Sequence, residues 1–228
     1  MVEKTGSAPL QIVVLISGNG SNLQAIIDAS KDGLNIEICA VISNRPDAYG
    51  LQRAAKANIA QHVIDHKQFE DRESFDAELK SAIDQYQPDL VALAGFMRVL
   101  TDGFVKAYRD RMLNIHPSLL PKYRGLDTHA KAIAAGDDYH GASVHFVTET
   151  LDGGPVIVQA KVTILDNDTV ESLSQRVQQA EYVIYVEVLD WLCQQRLVCR
   201  DNCLTLDGKP LLQPVQMEIN CINETQMA

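Results

Sequence analysis

The chain lacks a hydrophobic run long enough to cross a membrane as a helix, and its first nine residues contain no secretory apolar core. It is also poor in basic residues, with 20 lysines and arginines against 30 aspartates and glutamates. The formal net charge of −10 gives a surface that repels polyanions on average, so we expect no nucleic-acid partner. The absence of a spanning hydrophobic run leads us to expect no membrane partner either. A local basic pocket for one phosphate group remains compatible with this charge.

The sequence contains no Cys-x-x-Cys pair, and no histidine follows His145 to complete a metal site with the later cysteines. The cysteine count is odd, which argues against a closed disulfide framework. Reduced thiols in a cytoplasmic protein explain this pattern better than disulfide or metal chemistry, and we expect no metal. The five cysteines are Cys39, Cys193, Cys199, Cys203 and Cys221.

The chain has 228 residues, 46% of them apolar, which is enough for one sizeable hydrophobic core. Buried-strand runs at 12–16, 36–42 and 90–94 alternate with segments of helical periodicity such as 73–85, 103–111 and 170–194. This alternation predicts an α/β fold, a Rossmann-like, mostly parallel sheet flanked by helices in a single domain. We expect a flexible N-terminus at 1–10, the folded domain at 11–207 and a C-terminal tail at 208–228, with a hairpin turn at Asp207-Gly208.

A Gly/Ser-rich string, Ser-Gly-Asn-Gly-Ser-Asn at 17–22, directly follows the first predicted strand and precedes a helical pattern. Glycines allow a tight turn, and the free amides of a first helical turn attract anions. A plain strand-to-helix turn explains the same residues about equally well. The spacing matches neither a dinucleotide fingerprint nor a Walker loop.

A second polar string, Asn-Ile-His-Pro-Ser-Leu-Leu-Pro at 114–121, ends another predicted strand. Side chains alternate along a strand, so Asn114 and His116 point to the same side, at the sheet edge where ligands of α/β proteins bind. An isolated histidine there is more often structural than catalytic. Further on, Leu-Asp-Gly-Gly-Pro at 151–155 is by itself typical of a hairpin turn.

These strings, together with Gly-Phe-Met-Arg-Val-Leu at 95–100, resemble motifs of the folate-dependent formyltransferases and occur in that family's order. The resemblance extends from about residue 12 to residue 206. It implies a one-carbon (formyl) transferase that takes its formyl group from 10-formyltetrahydrofolate. The Gly-Gly form after Asp152 resembles the branch that formylates 5'-phosphoribosylglycinamide in purine biosynthesis.

The resemblance also implies roles for individual residues. The catalytic set would be Asn114, His116 and Asp152. Asn114 and protonated His116 would stabilise the oxyanion formed when an amine attacks the formyl carbon, and Asp152 would favour the imidazolium and relay a proton. The phosphoribosylglycinamide contacts would be Gly20, Ser21, Asn22 and Glu181. The folate contacts would be Arg72, Met97, Arg98, Val99, Leu100 and Asn114.

The sequence departs from the pattern we expect in bacterial relatives at two positions, where Arg124 stands in place of proline and Asp127 in place of histidine. The Arg-Gly pair also resembles the tRNA-directed branch of the family, although acidic charge and short length argue against a tRNA substrate. Two alternatives therefore stay open: another amine acceptor, such as an amino sugar, or a non-catalytic Rossmann-like protein that binds a phosphosugar or nucleotide. The oligomeric state, monomer or homodimer, is also open.

Overall fold

The structure is a computed structural model that describes residues 8–219. Residues 1–7 of the predicted flexible N-terminus and residues 220–228 of the predicted tail lie outside this range. The strands are β1 (Leu10–Ile16), β2 (Ile36–Ser43), β3 (Ala60–Val63), β4 (Leu90–Leu93), β5 (Met112–His116), β6 (Tyr139–Phe146), β7 (Val156–Thr163), β8 (Leu197–Arg200), β9 (Cys203–Leu206), β10 (Lys209–Pro210) and β11 (Val215–Glu218). The α-helices are α1 (Ser21–Lys31), α2 (Gly50–Lys56), α3 (Arg72–Asp84), α4 (Asp102–Ala107), α5 (Thr128–Ala135) and α6 (Val170–Cys193).

Eight strands form one central sheet in the order β11-β7-β6-β5-β4-β1-β2-β3. Helices α1 to α4 connect the successive strands β1 to β5. The adjacent pairs β3–β2, β2–β1, β1–β4 and β4–β5 are all parallel. Strand β6 is antiparallel to both β5 and β7, and β11 pairs in parallel with β7. The predicted α/β fold with a mostly parallel, helix-flanked sheet is therefore confirmed.

Strand β1 shows why its continuous apolar run becomes a central strand. Its side chains from residue 12 to residue 16 are all fully buried, since helices cover both faces of the sheet. Ile12, Val14 and Ile16 belong to the core on one face, whereas Val13 and Leu15 belong to the core on the other. A period of two thus distributes one uninterrupted hydrophobic run over two cores.

Two helices show the matching period of 3.6 on opposite faces of the sheet. Helix α6 buries Leu173 and Val177 in the core that contains Ile12. Helix α3 buries Phe75 and Leu79 in the core that contains Val13. Both helices were predicted from this spacing, and within residues 8–219 no helix is long and apolar enough to cross a membrane.

The region before β5 differs from the expected helix at 103–111, because α4 ends at Ala107. Asp110 adopts a left-handed backbone with φ of 61°, which a continuing helix does not allow. Its carboxylate accepts hydrogen bonds from the amides of Asp201 (2.8 Å) and Asn202 (3.2 Å). The early end of α4 therefore lets Asp110 anchor the turn between β8 and β9.

The C-terminal region forms a second, three-stranded sheet in the order β10-β9-β8. The predicted turn at Asp207-Gly208 joins β9 to β10, and both residues have positive φ, as a tight hairpin requires. The chain then returns to the central sheet, where β11 pairs with β7. This short edge strand lies inside the segment that the sequence suggested as a tail.

The loop before α6 is held by Asp168, whose side chain is only 3% exposed. The carboxylate accepts hydrogen bonds from the Leu165 amide (2.8 Å), Ser172 Oγ (2.7 Å) and Arg176 Nη1 (2.7 Å). The Arg176 guanidinium is the main reason that the pKa of Asp168 falls to about 2. Thr169 caps the helix at the same place, so this network fixes where α6 begins.

Replacing Asp168 with Asn should lower the free energy of unfolding by about 1–3 kcal/mol at pH 7, because the buried end of Arg176 loses its charged partner. The folded pKa is depressed, so this contribution is complete above about pH 4 and is lost as the pH falls toward 2. Urea denaturation of both proteins between pH 7 and pH 3 measures the difference. Asp166→Asn, an exposed carboxylate in the same loop, is the control, and a pH-independent difference would contradict the linkage.

Candidate active site

A cavity of about 500 Å³ opens beside the carboxyl end of β5. Its walls come from residues 95–99 after β4, residues 114–117 and residues 125–130, together with Leu151, Asp152 and Val170. Most of this surface is apolar, whereas Asn114, His116 and Asp152 provide polar groups. A mostly apolar cavity with a few convergent polar groups is the usual form of a small-molecule site.

The three predicted catalytic residues converge on this cavity. Asn114 and His116 lie on β5, and Asp152 lies in the connection between β6 and β7. Asp152 Oδ2 is 3.5 Å from His116 Nδ1, and the two side chains are 8% and 7% exposed. Because β6 and β7 form an antiparallel pair beside β5, their connection turns over the end of that strand. The Leu-Asp-Gly-Gly-Pro string is thus both a hairpin connection and the carrier of a carboxylate that lines the cavity.

Gly154 explains how the chain turns closely enough after Asp152. A Cβ atom at this position would lie 1.9 Å from the carbonyl oxygen of Phe146, so only glycine fits without moving the backbone. Asp152 itself has a φ of 47°, a left-handed conformation that aspartate tolerates better than most residues. The path of the backbone therefore requires glycine at position 154.

The loop after β5 holds the histidine and the carboxylate through backbone atoms. His116 Nε2 donates to the carbonyl oxygen of Tyr123 at 2.9 Å, and the Gly125 amide donates to Asp152 Oδ2 at 2.8 Å. The loop thus takes up Nε2 of His116, whereas Nδ1 faces the cavity side, 3.5 Å from Asp152 Oδ2. The sequence did not indicate that residues 123–125 orient His116 and Asp152. Backbone atoms make these contacts, and most residue types can make them.

His145 is a further site residue that sequence reasoning did not identify. Its Nδ1 donates to the Phe146 carbonyl oxygen (2.9 Å), so Nε2 is free to accept from Asn114 Nδ2 (3.1 Å). Burial lowers the pKa of His145, which keeps the ring neutral and able to accept. The second Asn114 N–H is left for the cavity. Only the antiparallel pairing of residue 114 with residue 145 brings these side chains together.

The loop at 17–22, which we call the acceptor loop because it is predicted to bind the formyl acceptor, follows β1. Hydrogen bonds join it to helix α6. Gly20 caps α1 with a φ of 71°, and Ser21 and Asn22 open the helix. Asn22 Nδ2 donates to Glu181 Oε2 at 2.8 Å, and Gln178 Nε2 donates to Ser21 Oγ at 3.0 Å. The structure thus assembles all four predicted acceptor contacts, although 159 residues separate Asn22 from Glu181. Burial raises the pKa of Glu181 to about 7.

The acceptor loop also contacts the segment that lines the cavity. The Met97 amide donates to Ser17 Oγ at 2.7 Å, and the Ser17 amide donates to the Gly95 carbonyl oxygen at 3.1 Å. Ser17 is the first residue of the Gly/Ser-rich string at 17–22. The two predicted substrate regions are therefore neighbours along one edge of the sheet.

The predicted folate contacts divide into two groups. Met97, Arg98 and Val99 line the cavity, and Met97 is 69% exposed at its mouth. Leu100 instead packs against the core beneath α3, and Arg72 is exposed at the first turn of that helix, outside the cavity walls. Arg98 lies over the Phe75 ring, one helical turn from Arg72, with 4.6 Å between its Cζ and the ring centroid. Arg98 is thus part of the cavity wall, whereas Arg72 lies outside it on the helix that carries Phe75.

Comparison with known proteins gives a consistent result. The sequence pattern of the family described as Formyl transferase matches residues 10–189. The phosphoribosylglycinamide formyltransferase of Escherichia coli is 54% identical over 203 residues, 89% of this chain and 96% of that enzyme. The Haemophilus influenzae enzyme of the same name is 47% identical over 88% of this chain and 95% of its own length. The solved phosphoribosylglycinamide formyltransferase of Coxiella burnetii, with 56% identity, superposes with a TM-score of 0.88 over 92% of this chain and 99% of that one.

Replacing Glu181 with Gln should raise the free energy of unfolding at pH 8 by about 1–3 kcal/mol, because the buried carboxylate is costly to ionise. The folded pKa is raised to about 7, so the parent protein loses stability as the pH rises from about 4.5 to 7. The gain from the substitution should therefore be small at pH 5 and level off above pH 7. Denaturant titrations across this range test it, with exposed Glu78→Gln as the control; a gain already complete at pH 5 would refute it.

Proposed function

The chain belongs to the formyl transferase family, and from that premise we propose that it is a phosphoribosylglycinamide formyltransferase. It transfers the formyl group of 10-formyltetrahydrofolate to the amine of 5'-phosphoribosylglycinamide in de novo purine (IMP) biosynthesis. The family resemblance of the sequence motifs is confirmed by the match over residues 10–189. The observation that carries the proposal is the convergence of Asn114, His116 and Asp152 on one cavity beside a glycine-rich, anion-attracting loop.

The cavity has the character that a reduced pteridine ring requires. Its walls include Phe96, Val99 and Leu126, which offer apolar surface to a flat heterocycle. Arg98 Nε is buried and has no hydrogen-bond partner within residues 8–219, so a ligand carboxylate is a fitting partner for its guanidinium. Met97, Arg98, Val99 and Asn114 would therefore hold the folate. Arg72 and Leu100 would contact the folate from positions outside the cavity wall.

The acceptor fits the adjacent loop. Ser21 and Asn22 begin α1, whose first-turn amides favour a phosphate, and α1 carries no acidic residue in that turn. Glu181, bonded to Asn22, offers a carboxylate to a hydroxyl or amine of the same ligand. Because Ser17 and Met97 join this loop to the cavity wall, an acceptor bound here would direct its amine toward β5.

The residues at the end of β5 have distinct tasks in the reaction. When bound, the folate supplies a formyl group on nitrogen, and the attack of the amine places negative charge on the formyl oxygen. Asn114, held by His145, and His116 Nδ1 would donate to that oxygen. Losing one such donor typically costs about 2.7–4 kcal/mol of barrier. Asp152, 3.5 Å from His116 Nδ1, would favour the imidazolium and relay the proton that the amine releases to the folate nitrogen. That nitrogen leaves as its bond to the formyl carbon breaks, and the formyl group stays on the amine.

We place this activity in the cytoplasm, with small molecules as the substrates. Cys39, Cys193, Cys199 and Cys203 are free thiols, as expected of a reducing compartment. Asp152 and His116 also form a site that needs only protein groups and the two substrates, without a metal. The chain would act as a monomer or homodimer.

The function is tested by following folate product by absorbance with purified protein, 10-formyltetrahydrofolate and 5'-phosphoribosylglycinamide. Product should appear only when the acceptor is present. Product formed without the acceptor would indicate a hydrolase. Absence of product under both conditions would favour a different acceptor or a binding protein.

Replacing Asp152 with Asn should lower kcat by about 100-fold or more, because the proton relay and the charge beside His116 are both lost. Dissociation constants for both substrates should change little, since Asn114, the loop and the apolar walls remain. Steady-state kinetics and equilibrium binding measure the two effects. Exposed Asp32→Asn is the matched control, and normal turnover in the Asp152 variant would remove the role assigned to that residue.

A further inference from the structure

Helix α2 supports the loop at 17–22 through Arg53. Its Nε donates to the Asn19 carbonyl oxygen at 2.9 Å, and its Nη2 donates to Asn19 Oδ1 at 3.0 Å. Nη1 donates to Gln24 Oε1 at 3.1 Å, on the first turns of α1. The guanidinium also lies over the Tyr49 ring, 5.0 Å from its centroid. Arg53 is therefore fixed on several sides and bridges the glycine-rich turn to α1.

A close backbone contact joins the same two elements. The Gly50 amide donates to the Gly18 carbonyl oxygen at 3.0 Å. A Cβ atom on Gly20 would lie 2.6 Å from the Gly50 Cα, and Gly20 has a positive φ of 71°. The loop and α2 thus meet without an intervening side chain, and the Arg53 fork adds three hydrogen bonds to this contact. Lysine lacks the planar fork that makes these three bonds.

The partners of Arg53 leave its positive charge uncompensated. Every hydrogen-bond acceptor that the structure shows for Arg53 within residues 8–219 is a neutral amide or carbonyl oxygen. A carboxylate enters the network only one step further on, where Gln24 Nε2 donates to Asp28 Oδ1 at 2.9 Å. The loop at 17–22 has no cationic residue of its own. Arg53 is thus the charge that this turn can offer to a dianion in an otherwise acidic protein.

We propose that Arg53 is the positioning residue of the acceptor loop and makes the site selective for a 5'-phosphorylated acceptor over its unphosphorylated form. This inference rests on the proposed function. The fork holds Asn19 and thereby sets the direction of the Gly20, Ser21 and Asn22 amides. The positive charge of Arg53 stabilises a phosphate group bound at those amides. The transfer chemistry at β5 and the folate cavity do not involve Arg53.

Kinetics of Arg53→Gln and Arg53→Lys with two acceptors test the inference. Arg53→Gln should raise the KM for 5'-phosphoribosylglycinamide roughly 10- to 100-fold, the usual value of a charge-assisted contact. Its kcat and its KM for 10-formyltetrahydrofolate should stay within about twofold of the parent values. With the dephosphorylated glycinamide riboside, kcat/KM should be unchanged. Arg53→Lys keeps the charge without the fork. Its KM for 5'-phosphoribosylglycinamide should therefore lie between the values of the parent protein and Arg53→Gln.

The control is Arg200→Gln, which removes the same charge from an exposed position on β8 and should leave every constant unchanged. Equal losses of kcat/KM for the phosphorylated and unphosphorylated acceptors in Arg53→Gln would overturn the inference, since they would indicate general damage to the loop. A raised KM for the folate would overturn it for the same reason.

Calorimetric titration with ribose 5-phosphate separates this inference from the proposed function. Parent protein should bind it, and Arg53→Gln should bind it roughly 10- to 100-fold more weakly. Equal binding by both proteins would overturn the role of Arg53 even if formyl transfer is observed. Weaker binding by the variant, together with no formyl transfer by the parent, would support the phosphate site while contradicting the proposed reaction.

Discussion

The antiparallel register between β5 and β6 is the constraint on which the candidate active site depends. It pairs Asn114 with His145 and His116 with Ser143. A shift of one residue would turn Asn114 and His116 to the opposite face of the sheet, because side chains alternate along a strand. The register also sets the place of the turn that carries Asp152. Strand β6 runs antiparallel to both of its neighbours in an otherwise parallel sheet. This reversal brings the Asp152 carboxylate, in the connection between β6 and β7, onto the end of β5.

Around this register, Asn114, His116 and Asp152 are each oriented by a hydrogen-bond partner. His145 is neutral because it is buried, and it can therefore accept from Asn114 and leave one amide N–H for the cavity. The backbone at Tyr123 and Gly125 orients His116 and Asp152 in the same way. Such preorganised donors lower a barrier because they need not reorganise as charge develops. The buried Glu181, by contrast, costs stability when it is ionised, because burial disfavours the charged form.

The sequence predicts the fold well where local patterns decide it. The apolar run in β1, the spacing in α6 and the Asp207-Gly208 turn are local signals, and the structure agrees with them. The end of α4 was not predictable, since Asp110 leaves the helix to bond a turn 91 residues away. The resemblance to a family suggested the site residues, but periodicity and spacing alone left Asn114 and Asp152 as a strand end and a turn. His145 and Arg53 act through contacts across the sheet edge, which residue types do not reveal.

The most direct test of the central claim follows the formyl carbon itself. Parent protein is incubated with 10-formyltetrahydrofolate labelled with carbon-13 in the formyl group and with 5'-phosphoribosylglycinamide, and the products are observed by carbon NMR. If Asn114, His116 and Asp152 serve transfer between two bound substrates, the label should appear as a formamide carbon on the glycinamide nitrogen. Label recovered only as free formate, or retained on the folate, would contradict that claim.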